Sequence, residues 1–144
     1  MKFSKPGQYA LRSMIYLATS SHGRTVTIEE IARETELPKH FLSKVFQDLV
    51  HSNLVVSQKG PHGGVNLAIS PEDISLREIV EAVVGPLDAE DCFLGFGRCD
   101  ELNYCPIHKP CDESWKNIIK VLDETPLSSL MGLKHKKQKV RLKG

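Results

Sequence analysis

Two short runs of β-forming residues, Leu54-Val55-Val56-Ser57 and Val65-Asn66-Leu67-Ala68-Ile69, flank the glycine-rich stretch Lys59-Gly60-Pro61-His62-Gly63-Gly64. This pattern predicts two strands around a tight loop, and no other feature limits the chain so strongly. An isolated hairpin is marginal in water and must lean on other elements. The residues before it supply those elements as three helices.

The first helix has Ser4 as a candidate cap and Pro6 in its first turn. Ala10, Met14, Leu17 and Ala18 then recur at i, i+4, i+7 and i+8 up to a stop at Ser20-Ser21-His22-Gly23. A second, short helix opens at Thr27 and runs to about Thr35. Thr27 and Glu30 have the spacing of a capping box, in which each satisfies a free amide of the first turn. Glu36-Leu37-Pro38 is a turn, and Pro38 suits the opening of a third helix. One face of that helix carries Phe41, Leu42, Val45, Phe46, Leu49 and Val50, and the other Lys39, His40, Ser43, Lys44 and Gln47. Ser52-Asn53 ends it.

Beyond the hairpin, Ser75 starts a fourth helix with Leu76, Ile79, Val80, Val83 and Val84 on one stripe, closed by Gly85-Pro86. Residues 87–110 show no helical period. A fifth helix follows, with Trp115, Ile118, Ile119 and Leu122 as its apolar stripe and Pro126 as its stop. The fold class expected is mainly α: a winged helix-turn-helix with a two-stranded β wing, plus a long C-terminal helix. The expected divisions are residues 1–70 for the winged unit, 71–90 for a connecting helix and 91–111 for a cysteine-rich loop. Residues 112–126 form the last helix and 127–144 a basic tail.

A helix presented by a preceding helix can enter the major groove, about 12 Å wide, while a wing touches adjacent backbone or minor groove. Lys39, His40, Ser43 and Lys44 lie toward the N-terminal part of the third helix, where base edges and phosphates come within reach. Lys59, Gly60 and Pro61 at the wing complete the candidate DNA-binding residues. The partner expected is double-stranded DNA.

All four cysteines of the chain fall within one stretch, Cys92-x6-Cys99-x5-Cys105-x5-Cys111. Thiolates are soft ligands, and four suit tetrahedral zinc or an iron–sulfur cluster. Zinc sites more often show paired Cys-x2-Cys knuckles, which this chain lacks. Pro106 and Pro110 stiffen the segment beside two of the thiols.

The 144 residues are 40% hydrophobic and 26% charged, ordinary values for one small globular unit. Apolar runs fall far short of the ~20 residues that a bilayer requires, and the N-terminus lacks the apolar core of a secretory signal. A cytoplasmic protein with no membrane partner is expected, where clustered cysteines point to metal or redox chemistry before disulfides. The net charge of +1 hides an asymmetry. Residues 134–144 hold six Lys or Arg and no acid, leaving 13 basic against 18 acidic groups elsewhere. A basic end on an acidic body points weakly toward nucleic acid.

The opening Lys5-Pro6-Gly7-Gln8-Tyr9-Ala10, the helix-turn-helix, the Lys59 to Gly64 wing and the cysteine loop together resemble the iron–sulfur cluster regulator (IscR-type) family. The resemblance covers roughly residues 1–130. It implies a winged-helix transcription factor that senses iron supply, redox state or nitric oxide. It also implies a homodimer built on the fifth helix, bound to a pseudo-palindromic operator, with a [2Fe–2S] or [4Fe–4S] cluster near the interface. Three cysteines bind the cluster in that family, and the fourth ligand varies. Cys105 and Cys111 match its final pair, and the first is either Cys99 or Cys92. A second register uses Cys92, Cys99 and Cys105 with His108 as the fourth ligand. Some relatives take a carboxylate from the first helix of the partner subunit, but residues 1–28 here contain no Asp or Glu, and Gln8 stands near that position. The ligand set expected is therefore Cys92, Cys99, Cys105 and Cys111, with His108 in reserve. The alternative is a zinc-stabilised winged-helix repressor, and no enzyme pattern is present.

Overall fold

The computed structural model describes residues 4–87, 92, 94, 96 and 105–133. Helix α1 (Lys5–Ser20) buries Ala10, Met14, Leu17 and Ala18 as its spacing predicts. Ser4 occupies the cap position, but its side chain makes no capping bond. Gly7 is buried too, and a Cβ there would sit 3.4 Å from the Val80 side chain. Gly7 therefore lies on the face of α1 that packs against the fourth helix.

Helix α2 (Ile28–Thr35) is capped by Thr27, whose hydroxyl accepts from the Glu30 amide at 3.1 Å. The expected box is not completed by Glu30, because its carboxylate turns to Tyr16 and Arg24 instead. The chain then pivots at Glu36, which adopts a left-handed conformation (φ 56°). Leu37 behind it is buried, with its amide bonded to the Ala32 carbonyl at 3.1 Å. Helix α3 (Lys39–His51) follows from Pro38, burying Leu42, Val45, Phe46 and Leu49.

Strands β1 (Val55–Gln58) and β2 (Gly64–Leu67) pair antiparallel, from Val55 opposite Leu67 to Gln58 opposite Gly64. The second strand is shorter than its composition suggests. Ala68 bonds back to the Leu54 carbonyl, and Ile69 is exposed. The hairpin gains a third partner, because Val26 and Val65 exchange amide–carbonyl bonds of 3.0 and 2.8 Å. Both valines are buried, so the wing is joined to the segment between α1 and α2.

A 3-10 turn at Pro71–Asp73 leads into α4 (Leu76–Val84), where Ser75 and Glu78 form a reciprocal capping box. Helix α5 (His108–Glu124) starts earlier than the division at residue 112 anticipates, so Pro110 and Cys111 lie in its first turns. Proline fits there because the first amides of a helix have no intrahelical partner. A second correction concerns residues 127–133, expected in the tail. Leu127 is fully buried in the common core, and Leu127–Leu130 forms another 3-10 turn packed on α1. A buried leucine contributes roughly 1.5–3 kcal/mol, which ties this segment to the body. The basic residues 134–144 lie outside the described residues.

One core unites all these elements, from Met14 and Leu17 through Ile31, Leu42 and Leu49 to Ile79. Among the described residues no buried side-chain polar atom lacks a hydrogen-bond partner. No helix among them is long and apolar enough to cross a membrane.

Candidate nucleic-acid interface and cysteine segment

Packing of Leu42, Val45, Phe46 and Leu49 into the core turns the opposite side of α3 outward. Lys39, His40 and Lys44 are exposed there, together with Gln47 and His51, while Ser43 is half-buried. The Ser43 hydroxyl donates to the Lys39 carbonyl at 3.1 Å. Both lysines are already engaged. Lys39 pairs with Glu29 across the turn, and Lys44 pairs with Asp48 one helical turn along at 3.1 Å. Lys39 thereby holds the Glu29 carboxyl below its ordinary range. The Lys44–Asp48 spacing is readable from sequence. The Glu29–Lys39 pair, which spans the turn, is not.

The wing is built for close approach. Gly60 has φ +108°, Gly63 donates to its carbonyl at 2.9 Å, and a Cβ on Gly63 would lie 2.7 Å from the Gln58 carbonyl oxygen. Lys59, Gly60, Pro61 and His62 are exposed at the tip. Thr25 donates its hydroxyl to the His62 carbonyl at 3.0 Å, a contact with no signal in the sequence. The tip is thus tied to the loop before α2, and the two candidate DNA-facing elements share one support.

That support continues into α1. The Tyr16 hydroxyl donates to Glu30 at 2.9 Å, and Arg24 reaches the same carboxylate at 2.7 Å. Arg24 first, and then Tyr16, hold the Glu30 carboxyl below its ordinary range against the opposing effect of burial. Burial and the neighbouring Glu30 push the Tyr16 phenol up. Arg12 adds a second tie, donating to the Thr35 carbonyl at the end of α2 at 2.6 Å.

The cysteine segment is described only in part. Cys92, Cys105 and Cys111 are half-buried and carry no disulfide, while Cys99 lies outside the described residues. Cys105 sits just before α5, and its carbonyl accepts from the His108 amide at 3.1 Å. Cys111 bonds through its amide to the Ile107 carbonyl at 3.0 Å. Cys105 and His108 therefore flank the helix start, with Cys111 just inside it. Among the described residues no three His, Cys, Asp or Glu side chains come together as a metal cage.

Helix α5 meets the body through α4. Its far end is clamped by backbone: Leu76 donates to the Thr125 carbonyl at 3.0 Å, and Leu127 donates to Ile74 at 2.8 Å. The expected stripe divides, with Leu122 buried, and Trp115, Ile118 and Ile119 half-buried. Val121, absent from the expected stripe, is 61% exposed.

Residues 3–132 match the Rrf2 family, described as an iron-dependent transcriptional regulator. A candidate HTH-type transcriptional regulator of Aquifex aeolicus is 34% identical over 94% of this chain and 95% of its own length. The regulator IscR of Aliivibrio salmonicida is 28% identical over 91% of this chain and 77% of its own. Among solved structures, CymR, the global cysteine regulator of B. subtilis, superposes with a TM-score of 0.75 at 26% identity. That match covers 90% of this chain and 95% of CymR. T. potens IscR shares the fold, with a TM-score of 0.70 at 24% identity over 90% and 85% of the two chains. Three helices, a β wing and a long final helix make up the fold that superposes on CymR, and the chain belongs to the Rrf2 family as a winged-helix transcriptional regulator, not an enzyme.

Proposed function

We propose that this regulator acts in the cytoplasm as a homodimer whose operator affinity is set by an iron–sulfur cluster on the cysteine segment. The observation that carries the reading is the placement of Cys105 and Cys111 at the opposite end of α5 from its backbone clamp onto α4. Relatives named IscR and NsrR support it. The donor chemistry suits a cluster: half-buried cysteines without disulfides, of the ligand type that such clusters use. Cys92, Cys99, Cys105 and Cys111 are the proposed ligands, with His108 as a substitute for one. When bound, the group supplies a crosslink sensitive to oxidation, nitric oxide and iron supply.

The chain's own residues carry the response. Trp115 and Ile119, one helical turn apart, offer the α5 surface on which a second copy packs. The thiols set the angle of α5 at one end, while Thr125 and Leu127 fix the other against Ile74 and Leu76. Helix α4 packs on both α1 and α3, so α5's angle sets the separation of the two α3 helices. Successive major grooves lie about 34 Å apart, and a useful switch needs a coupling of roughly 1–3 kcal/mol. At the operator, His40 and Ser43 face base edges, Lys39 and Lys44 reach bases or phosphates, and Lys59, Gly60 and Pro61 meet the flanking backbone.

The test is anaerobic purification with iron, sulfide, zinc and visible absorption measured per subunit, followed by selection of bound duplexes from a random pool. Iron and sulfide near two or four each, with operator affinity that changes on cluster removal, is the expected result. Colourless protein with about one zinc overturns the sensor reading in favour of a zinc-stabilised repressor.

A further inference from the structure

The strands of the wing are short, and their pairing ends at Gln58 opposite Gly64. Beyond that pair, one turn closes the tip, in which the Gly63 amide donates to the Gly60 carbonyl at 2.9 Å. A two-stranded hairpin is marginal in water, so the direction of its tip has to be set from outside. The base is set by Val26, which is buried and exchanges both backbone bonds with Val65. At the tip, among the described residues, the hydrogen bond to the rest of the molecule is that of the Thr25 hydroxyl to the His62 carbonyl, at 3.0 Å.

Thr25 is well seated for that task. It lies between Arg24, whose guanidinium grips Glu30 of α2, and Val26, which pairs with β2. Two residues further on, Thr27 caps α2, which leads through the turn at Glu36 into α3. The wing tip and the reading helix are thus referred to the same few residues. The tip held in this way is cationic: residues 49–71 contain no Asp or Glu, and Lys59 is exposed there. Lys39 and Lys44 on α3, by contrast, each face an acid.

We infer that Thr25 is the positioning residue of the wing, its hydroxyl fixing the tip where Lys59 meets phosphate while α3 occupies the major groove. A tip released from Thr25 samples other directions, and apparent affinity falls with the fraction still poised to bind. The inference rests on the proposed contact of Lys59, Gly60 and Pro61 with the flanking backbone. It is independent of the cysteine segment.

The experiment uses the full chain, purified anaerobically, and four variants. Thr25→Val removes the hydroxyl at nearly constant shape, and Thr25→Ser keeps it. Lys59→Gln and the double variant Lys59→Gln with Thr25→Val complete a cycle. Fluorescence anisotropy across a salt series measures binding to a duplex selected from the random pool, flanks included. The Thr25–His62 bond is exposed, so water takes over the carbonyl it releases. The Thr25→Val thermal midpoint should therefore stay within about 2 °C of the wild type, with the Val26 and Val65 amides still protected from exchange. Its affinity should nevertheless fall about two- to tenfold per subunit, the range of a single hydrogen bond. Its log–log salt slope should become shallower by up to about 0.9 per subunit, the share of one phosphate. Thr25→Ser should restore both. In the Lys59→Gln background, Thr25→Val should leave the slope unchanged and lose less than half as much affinity on a logarithmic scale. Wild-type affinity and slope for Thr25→Val, or an equal loss with and without Lys59, overturn the inference and leave the regulator reading intact. So does a Lys59→Gln variant that binds like the wild type, or loss of Val26 and Val65 protection in Thr25→Val, which would make Thr25 a folding residue. Failure of the wild-type chain to bind any duplex overturns both.

Discussion

The Arg24 guanidinium lies 2.7 Å from the Glu30 carboxylate, joining the loop that carries Val26, the wing's third partner, to helix α2. Tyr16 on α1 donates to the same group. Three separate segments therefore converge on one carboxylate whose pKa is depressed. Its contribution is fully present above the unfolded carboxyl value, about 4.3, and is lost as pH falls through the lower folded value. Glu30→Gln should lower the thermal midpoint near pH 7 by about 2–5 °C. The gap to the wild type should close in acid below about pH 4. Thermal melts across a pH series check this, and a gap that stays constant into acid would assign the loss to packing instead.

Gly64 faces the Val26 backbone so closely that a Cβ would lie 2.6 Å from the Val26 carbonyl oxygen, and its φ is +153°. Backbone oxygen cannot yield as a side chain would. Gly64→Ala should cost about 2 kcal/mol or more in folding stability and detach the wing from Val26. Hydrogen exchange at the Val26 and Val65 amides reads the detachment. Gly60→Ala provides a contrast. It meets open space at φ +108° and should cost about 1–2 kcal/mol without altering exchange at Val26.

These two sites also mark where sequence reading ends. The helices and hairpin are legible because periodicity reports burial directly, as Ala10, Met14 and Leu17 illustrate, and because Gly60 to Gly64 announces a turn. Thr25–His62, Val26–Val65 and Glu29–Lys39 each join residues ten or more apart in sequence, with no local pattern to signal them. The same reason explains the misreading of Glu30. Its spacing from Thr27 suggests a box, but Arg24 offers its carboxylate a full positive charge and two donors, against the single neutral amide of a box. Among the proposed metal ligands, the cysteine cluster is conspicuous in sequence, while Cys111's position inside α5 depends on where the helix nucleates.

Leu127 follows the helix-stopping Pro126 and precedes the basic residues, which makes it look like the start of a tail. It is instead fully buried, with its amide bonded to Ile74. Leu127→Ala should destabilise by about 2–4 kcal/mol, the range for large-to-small core changes. Met131→Ala, at an exposed side chain, should shift stability by less than about 0.5 kcal/mol. Denaturant midpoints for the two variants distinguish a docked segment from a tail, since a tail would leave both unchanged.

Glu29 is the acid that occupies Lys39, the first residue of α3. In the proposed DNA-bound arrangement its charge lies near phosphates of the same sign and opposes binding to any sequence. Glu29→Gln should raise affinity for a mixed-sequence duplex about two- to fivefold and steepen the salt slope by up to about one, as Lys39 becomes free to release a counterion. Affinity for the selected operator should rise less, because the base contacts proposed for His40 and Ser43 are unchanged by the substitution, and the specificity ratio should fall. A loss of operator affinity instead would give Glu29 a different part, as an acceptor for a cytosine amino group, which is the contact open to a carboxylate at a base edge.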